Sequence, residues 1–178
     1  MLCGNNNDMN KKRNQKRKAQ IETRIKNESF RFQVWWNKNK RAPEIADEAP
    51  AVNSEIDVIC EKDLSEGLLA LAEVLDGIRK VLGYEQAVDR CSLNGSVIAY
   101  ILGITSVKPA DAQSGNSPLS DAGKINPPLQ VDIYYNADCR NEVVEWVKEH
   151  YQSVTSRLGQ PALKLHNVVV VFKRVVKQ

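Results

Sequence analysis

Val168-Val169-Val170-Val171-Phe172 is an unbroken apolar run, β-branched over its four valines. A strand with one wet face alternates apolar and polar residues, whereas a continuous apolar strand is buried on both sides. The run therefore predicts a central strand, and Lys173, Arg174 and Lys177 give it a basic end. A second β-favouring stretch, Val131 to Tyr135, follows Pro127-Pro128 and carries one acid, Asp132. Helical patterns accompany these strands. Leu64, Leu68, Leu71, Val74/Leu75, Ile78 and Leu82 recur at the spacing of an amphipathic helix, with Gly83 placed as its stop. Val143, Val144, Trp146, Val147 and Tyr151 recur in the same way, in a helix opening at Asp138 or Asn141. Between them, Val97 to Leu102 is apolar nearly all round. It predicts a buried helix capped by Ser92 or Asn94 and ending near Gly103. The fold class expected is α+β, a small sheet with packed helices.

Charge divides the chain. Residues 1–41 hold twelve Lys/Arg against three acids, about +9, so the remainder carries about −6 of the net +3. The expected organisation is a basic arm over 1–41, helical or disordered, then a Pro- and acid-rich linker over 42–57 with Pro43 and Pro50. An α+β domain over 58–178 follows. Lys11, Lys12, Arg13, Lys16, Arg17 and Lys18 are the candidate nucleic-acid contacts, because a polycation on phosphates releases counterions. The same run also reads as a solvated, disordered arm. A helix is expected over Ala19 to Lys40, with Ile21, Ile25, Phe32 and Trp35 partly periodic. Phe30, Phe32, Trp35 and Trp36 stand among Arg31, Lys38, Lys40 and Arg41. Such aromatics either pack the arm onto the body, the favoured expectation, or stack bases.

Residues 106–128 read as a long polar surface loop. Cys3, Cys60, Cys91 and Cys139 are scattered without a CxxC pair, which argues against a zinc site and a disulfide framework and suits a reducing compartment. His150 is expected on a helix surface and His166 in a loop. Polar residues follow Met1-Leu2-Cys3 at once, so no secretory segment is expected, and no apolar run is long enough to span a membrane. The location expected is cytoplasmic. No Ser/His/Asp set has suggestive spacing, and Cys91 beside Arg90 is a weak case for an activated thiol.

Two stretches carry possible chemistry. Asp89-Arg90-Cys91-Ser92-Leu93-Asn94-Gly95-Ser96 reads as a loop opening a helix, where backbone N–H groups and the helix N-terminus favour an anion. Pro127 to Tyr135 reads as a strand with an acid. Carboxylates at i and i+2 of a strand share one face and there hold magnesium. Asp89 through Thr105 resembles the palm loop-and-helix of the bacterial DNA polymerase III alpha subunit, which typically reads GRGSxxGSLVAYxLGIT. Asn126-Pro127-Pro128, Val131-Asp132-Ile133 and Arg140 to Tyr151 resemble that family's PPDIDIDF…RREEVIEYVxxxY. The resemblance covers roughly residues 68–151, with the two motifs in the family's order.

The resemblance implies part of a polymerase β-like nucleotidyltransferase palm and DNA-templated nucleotidyl transfer in DNA replication. It implies Asp132 as catalytic acid and metal ligand, Arg90 and Ser92 on the nucleotide phosphates, and Mg2+ as cofactor of an active site. The departures are specific. Cys91 stands at a family glycine, Gln130 at the first metal-binding aspartate and Tyr134 at a further acid; the family's third aspartate lies beyond the last residue. A divergent, truncated relative is therefore expected, catalytically inactive or nearly so as an isolated chain and then needing no cofactor. DNA is the expected partner, with RNA and other replication subunits as further ones and no membrane. The alternative from another class is a non-catalytic nucleic-acid-binding protein that uses the basic arm; a third reading is a remnant without function.

Overall fold

The computed structural model describes residues 5–109, 117–152 and 154–176. Cys3, Lys177 and part of the expected 106–128 loop lie outside the described residues. The fold is α+β. Its sheet has four strands, β1 (Leu129–Tyr135), β2 (Val154–Arg157), β3 (Gln160–Leu165) and β4 (Val168–Arg174), in the order β1-β4-β3-β2. The valine run is β4, and it is central, parallel to β1 and antiparallel to β3. Val168, Val170 and Phe172 join Val131, Ile133 and Tyr135 in the main core, while Val169 and Val171 pack with Ala162 in a separate small cluster. Alternation along the strands places these two sets on opposite faces.

Five α-helices are described: α1 (Asn5–Arg41), α2 (Pro50–Glu61), α3 (Ser65–Leu82), α4 (Val97–Ile101) and α5 (Ala137–His150). α3 buries Leu68, Leu71, Val74, Leu75 and Ile78 and ends on Gly83, whose φ of 71° suits a residue without a Cβ. It lies so close to the sheet that a Cβ at Gly67 would stand 2.6 Å from the Leu165 carbonyl oxygen. α5 buries Val143, Val144 and Val147. Trp146 packs over Gly77 and stacks on His150, with ring centroids 4.3 Å apart.

The N-terminal third differs from the sequence expectation. The helix begins by Asn5 rather than Ala19, and residues 7–25 are exposed along their length. Lys, Arg, Gln and Ala in this stretch lose little side-chain freedom in a helix, and no Pro or Gly interrupts it. From Lys26 onward one side of α1 meets the body. Phe30 and Val34 are buried, and Lys38 donates to the Ile45 carbonyl at 3.1 Å. Phe32, Trp35 and Trp36 instead face solvent, so of the four aromatics only Phe30 packs the arm down. Within 42–57, Ala42, Ile45, Ala49, Val52 and Ile56 belong to the main core, and Pro50 opens α2 at a position where its missing N–H costs nothing. The hairpin β2–β3, unmarked by any strong apolar pattern, turns at Leu158-Gly159, both with positive φ. The loop before β1 is pinned by buried Leu119 and Ile125.

One buried carboxylate joins the N-terminal helices to the turn before α4. Glu55 of α2 is 1% exposed. It accepts from Ser96 Oγ at 2.6 Å and from the amides of Val97 and Ile98 at 3.1 and 3.0 Å. Ser96, rather than Ser92 or Asn94, is the N-cap, accepting from the Ala99 amide at 3.0 Å. Glu55→Ala leaves those three donors buried without a partner. It is expected to cost about 3 kcal/mol in urea unfolding, and a loss below about 1 kcal/mol would show that the turn does not depend on it.

Candidate functional site

β1 lies at one edge of the sheet, and residues 87–92 run alongside it. The Ala87 amide donates to the Tyr134 carbonyl at 2.7 Å, and the Ser92 amide to the Asp132 carbonyl at 3.2 Å. Ser92 Oγ accepts from the Asp132 amide at 2.9 Å. The loop and the acidic strand are therefore adjacent, and Ser92 spends its hydroxyl oxygen on the backbone of the acid. Cys91, next to it, is buried, and burial pushes its thiol above the ordinary value. Its φ is −76°, an extended conformation that any L-residue adopts, so the Cβ brings no backbone strain there. Arg90 closes the short 3-10 helix Val88–Arg90 and is exposed.

Gln130, Asp132 and Tyr134 alternate with the buried residues of β1 and share the face away from the main core. The Asp132 carboxylate is engaged on both oxygens. Lys173 Nζ of β4 lies 2.6 Å from Oδ2, and Gln130 Nε2 donates to Oδ1 at 2.9 Å. Gln130 thus holds Asp132 in place through a hydrogen bond. Lys173 also lies over the Tyr134 ring, 5.7 Å from its centroid. The hydrogen bond to Asp132 holds the Lys173 ammonium charged above the ordinary lysine range. No group of three or more His, Cys, Asp or Glu side chains able to hold a metal ion occurs among the described residues.

The same face opens into a cavity of ≈ 630 Å³ whose wall includes Gln130, Tyr134, Arg140, Arg157, Lys173 and Arg174. Arg140 is buried and donates to the Phe172 carbonyl at 3.1 and 2.9 Å and to Gln160 Oε1 at 3.0 Å. Burial, with Arg174 nearby, lowers its affinity for the proton. Arg174 donates to Asn141 Oδ1 at 2.7 Å. The face around Asp132 is therefore cationic. In the sequence Lys173 and Arg174 are only the basic end of a strand, with nothing to tie Lys173 to Asp132. The parallel register, which sets Asp132 opposite Val171 and Tyr134 opposite Lys173, brings them together.

Three further placements bear on function. The N-terminal amides of α4, a place the sequence offers to phosphate, bind Glu55. Glu55 was invisible as a site residue because it lies 41 positions before Ser96. Lys11, Lys12, Arg13, Lys16, Arg17 and Lys18 lie on the exposed half of α1, far along the chain from Asp132, and of these only Lys18 has a near acid, Glu22 at 3.9 Å, among the described residues. Cys60, Cys91 and Cys139 are free thiols.

Asp132 and Lys173 behave as one unit. In a double-mutant cycle with Asp132→Asn and Lys173→Met, measured by urea unfolding at pH 7, a coupling of about 1 kcal/mol is expected for this half-buried pair. Because the folded-state lysine value is raised, that coupling is complete below the ordinary lysine value, about 10.4, and fades as pH rises through the raised one. A coupling unchanged above that range, or absent at pH 7, would refute the pairing.

Comparison with known proteins gives two findings. The family model described as "Bacterial DNA polymerase III alpha NTPase domain" matches residues 6–160. No curated protein matches the chain.

Proposed function

Since the chain belongs to the family of the bacterial DNA polymerase III alpha NTPase domain, we propose that it is a DNA-binding palm relative that does not itself carry out nucleotidyl transfer. The origin in DNA replication follows from the family. The observation that carries the loss of chemistry is the Lys173–Asp132 pair. Magnesium is held by hard oxygen ligands, commonly one or two carboxylates plus substrate phosphates. Here the one remaining family acid is neutralised by an ammonium at 2.6 Å and hydrogen-bonded to a neutral amide. To ligate a metal, Asp132 must first give up Lys173, which would then stand as an unpaired cation beside the incoming one. The residues present do not fit the family's metal centre. On this reading Asp132 is the surviving acid, and Arg90 and Ser92 are what remains of the phosphate-binding loop.

The exposed cations of α1 support the DNA-binding half of the proposal. Twelve basic residues against three acids over 1–41 make the arm a polycation, and its outer half is raised away from the body as a helix. Duplex or single-stranded phosphates are the matching partner. The described residues include no helix long and apolar enough to cross a membrane. The cytoplasm, where replication enzymes and free thiols coexist, is the compartment we assign.

Two measurements test the proposal. Primer extension with magnesium or manganese is expected at background for the chain and for Asp132→Ala alike; template-directed extension that Asp132→Ala abolishes would overturn the loss of activity. DNA binding is expected to weaken steeply with salt. Changing Lys11, Lys12, Arg13, Lys16, Arg17 and Lys18 to Gln should flatten the dependence of log K on log salt by about 4 to 5. Deleting all of 1–41 is the poorer test, because Phe30 and Val34 would leave the core with it. Binding that keeps its salt slope in the six-residue variant would sink the role of the arm.

A further inference from the structure

α1 presents two different faces. Phe30, Val34 and Lys38 recur every fourth residue and meet the body. On the opposite side, Ile21, Ile25, Phe32, Trp35 and Trp36 are 49–60% exposed. At 100° per residue these five share one stripe, and the same stripe runs toward the N-terminus through Lys18 and Arg17. From Lys18 to Trp36 it is about 27 Å long. The three rings form a cluster. Phe32 lies 5.9 Å from Trp35 and is stacked with Trp36 at 6.5 Å between centroids. Glu28 lies on this stripe too, but its carboxylate is taken by Arg24 at 2.8 Å.

We propose that this stripe is a platform for single-stranded nucleic acid, with bases stacking on Phe32, Trp35 and Trp36 and the phosphates following Arg17, Lys18 and the cations beyond them. This rests on the DNA-binding reading of the arm and adds both the form of the ligand and the residues that recognise its bases. Charge decides between the occupants of an apolar helix face. A second copy of α1 would set two arms of about +9 against each other, whereas a polyanion is attracted to the cationic end of the stripe. Aromatic rings beside cations suit unpaired bases, whose π-faces are open; in a duplex those faces are already stacked. An acidic protein helix is the competing occupant of such a surface, and the same experiment separates the two.

Two of the three tryptophans, Trp35 and Trp36, lie in the stripe, while Trp146 packs over Gly77 on α5. Intrinsic fluorescence of the full chain therefore reports stacking directly. Titration with an oligothymidylate of about twelve nucleotides is expected to quench the emission. The same sequence as a duplex, or heparin, should bind without comparable quenching. Trp35→Ala and Trp36→Ala, both at exposed positions, are expected to keep the parent thermal midpoint and to weaken single-strand binding by roughly 5- to 150-fold each. Binding abolished by the six Lys/Arg→Gln changes but unaltered by the tryptophan variants would overturn the platform and leave the DNA-binding reading intact. Equal quenching by heparin would also overturn the platform. No salt-sensitive binding to single strand or duplex would overturn both.

Discussion

The Glu55 carboxylate is the contact on which the arrangement of this molecule turns. A carboxylate at 1% exposure is tolerable only if its charge is met. Here it is met by a hydroxyl and two amides at the start of α4, which supply donors and the positive end of a helix. The bond runs from α2 to residues more than forty positions later. It therefore fixes how the N-terminal helices sit on the rest, and it holds the turn that leads from Cys91 to Ser96. That turn in turn lays Ser92 against β1, where its oxygen receives the Asp132 amide. The loop that in outline resembles a phosphate seat is held by an internal anion.

The face carrying Asp132 follows the same logic of internal satisfaction. A polymerase palm needs unpaired carboxylates poised for metal. Here Gln130 and Lys173 hold the two oxygens of Asp132. The amide and the ion pair are complementary. Gln130 adds no charge of its own, so Asp132 is the one carboxylate at this point of the strand and the Lys173 ammonium answers it. Both oxygens of the carboxylate are thereby ordered. The surrounding positive charge persists on the wall of the cavity beside it.

Much of the fold was legible in the sequence. The valine run, buried on both faces, could only be central, and the α3 and α5 patterns named their own buried residues and, for α3, its glycine stop. Less legible was whatever depended on distant partners. The hairpin β2–β3 has only a weak apolar alternation, and pairing with β4 rather than local pattern makes it a strand. The stretch over 42–57 carries the proline and acid content of a linker, yet small apolar residues spaced along it reach the core. On α1, Ile21, Ile25, Phe32 and Trp35 show helical spacing as clearly as a buried face would, while the residues that pack are Phe30 and Val34. Periodicity identifies a helix with an apolar stripe and is silent on whether anything covers that stripe. The family match over 6–160 also reaches well beyond the resemblance over roughly 68–151, taking in nearly all of α1.

Local chemistry, then, was the sequence's to determine: the strongly patterned helices and the valine strand, the position of Asp132 on a strand with neutral Gln130 two residues before it, and a polycationic N-terminus. These follow from side-chain type and spacing, which act over a few residues. Only the tertiary structure decided that Glu55 fills the start of α4, that Lys173 neutralises Asp132, and that three aromatic rings of α1 point to solvent. Each of those is a meeting, or a failure to meet, between groups separated along the chain. Charge pairing and burial are settled by distance in space, and that distance exists only once the sheet register and the helix packing have been set.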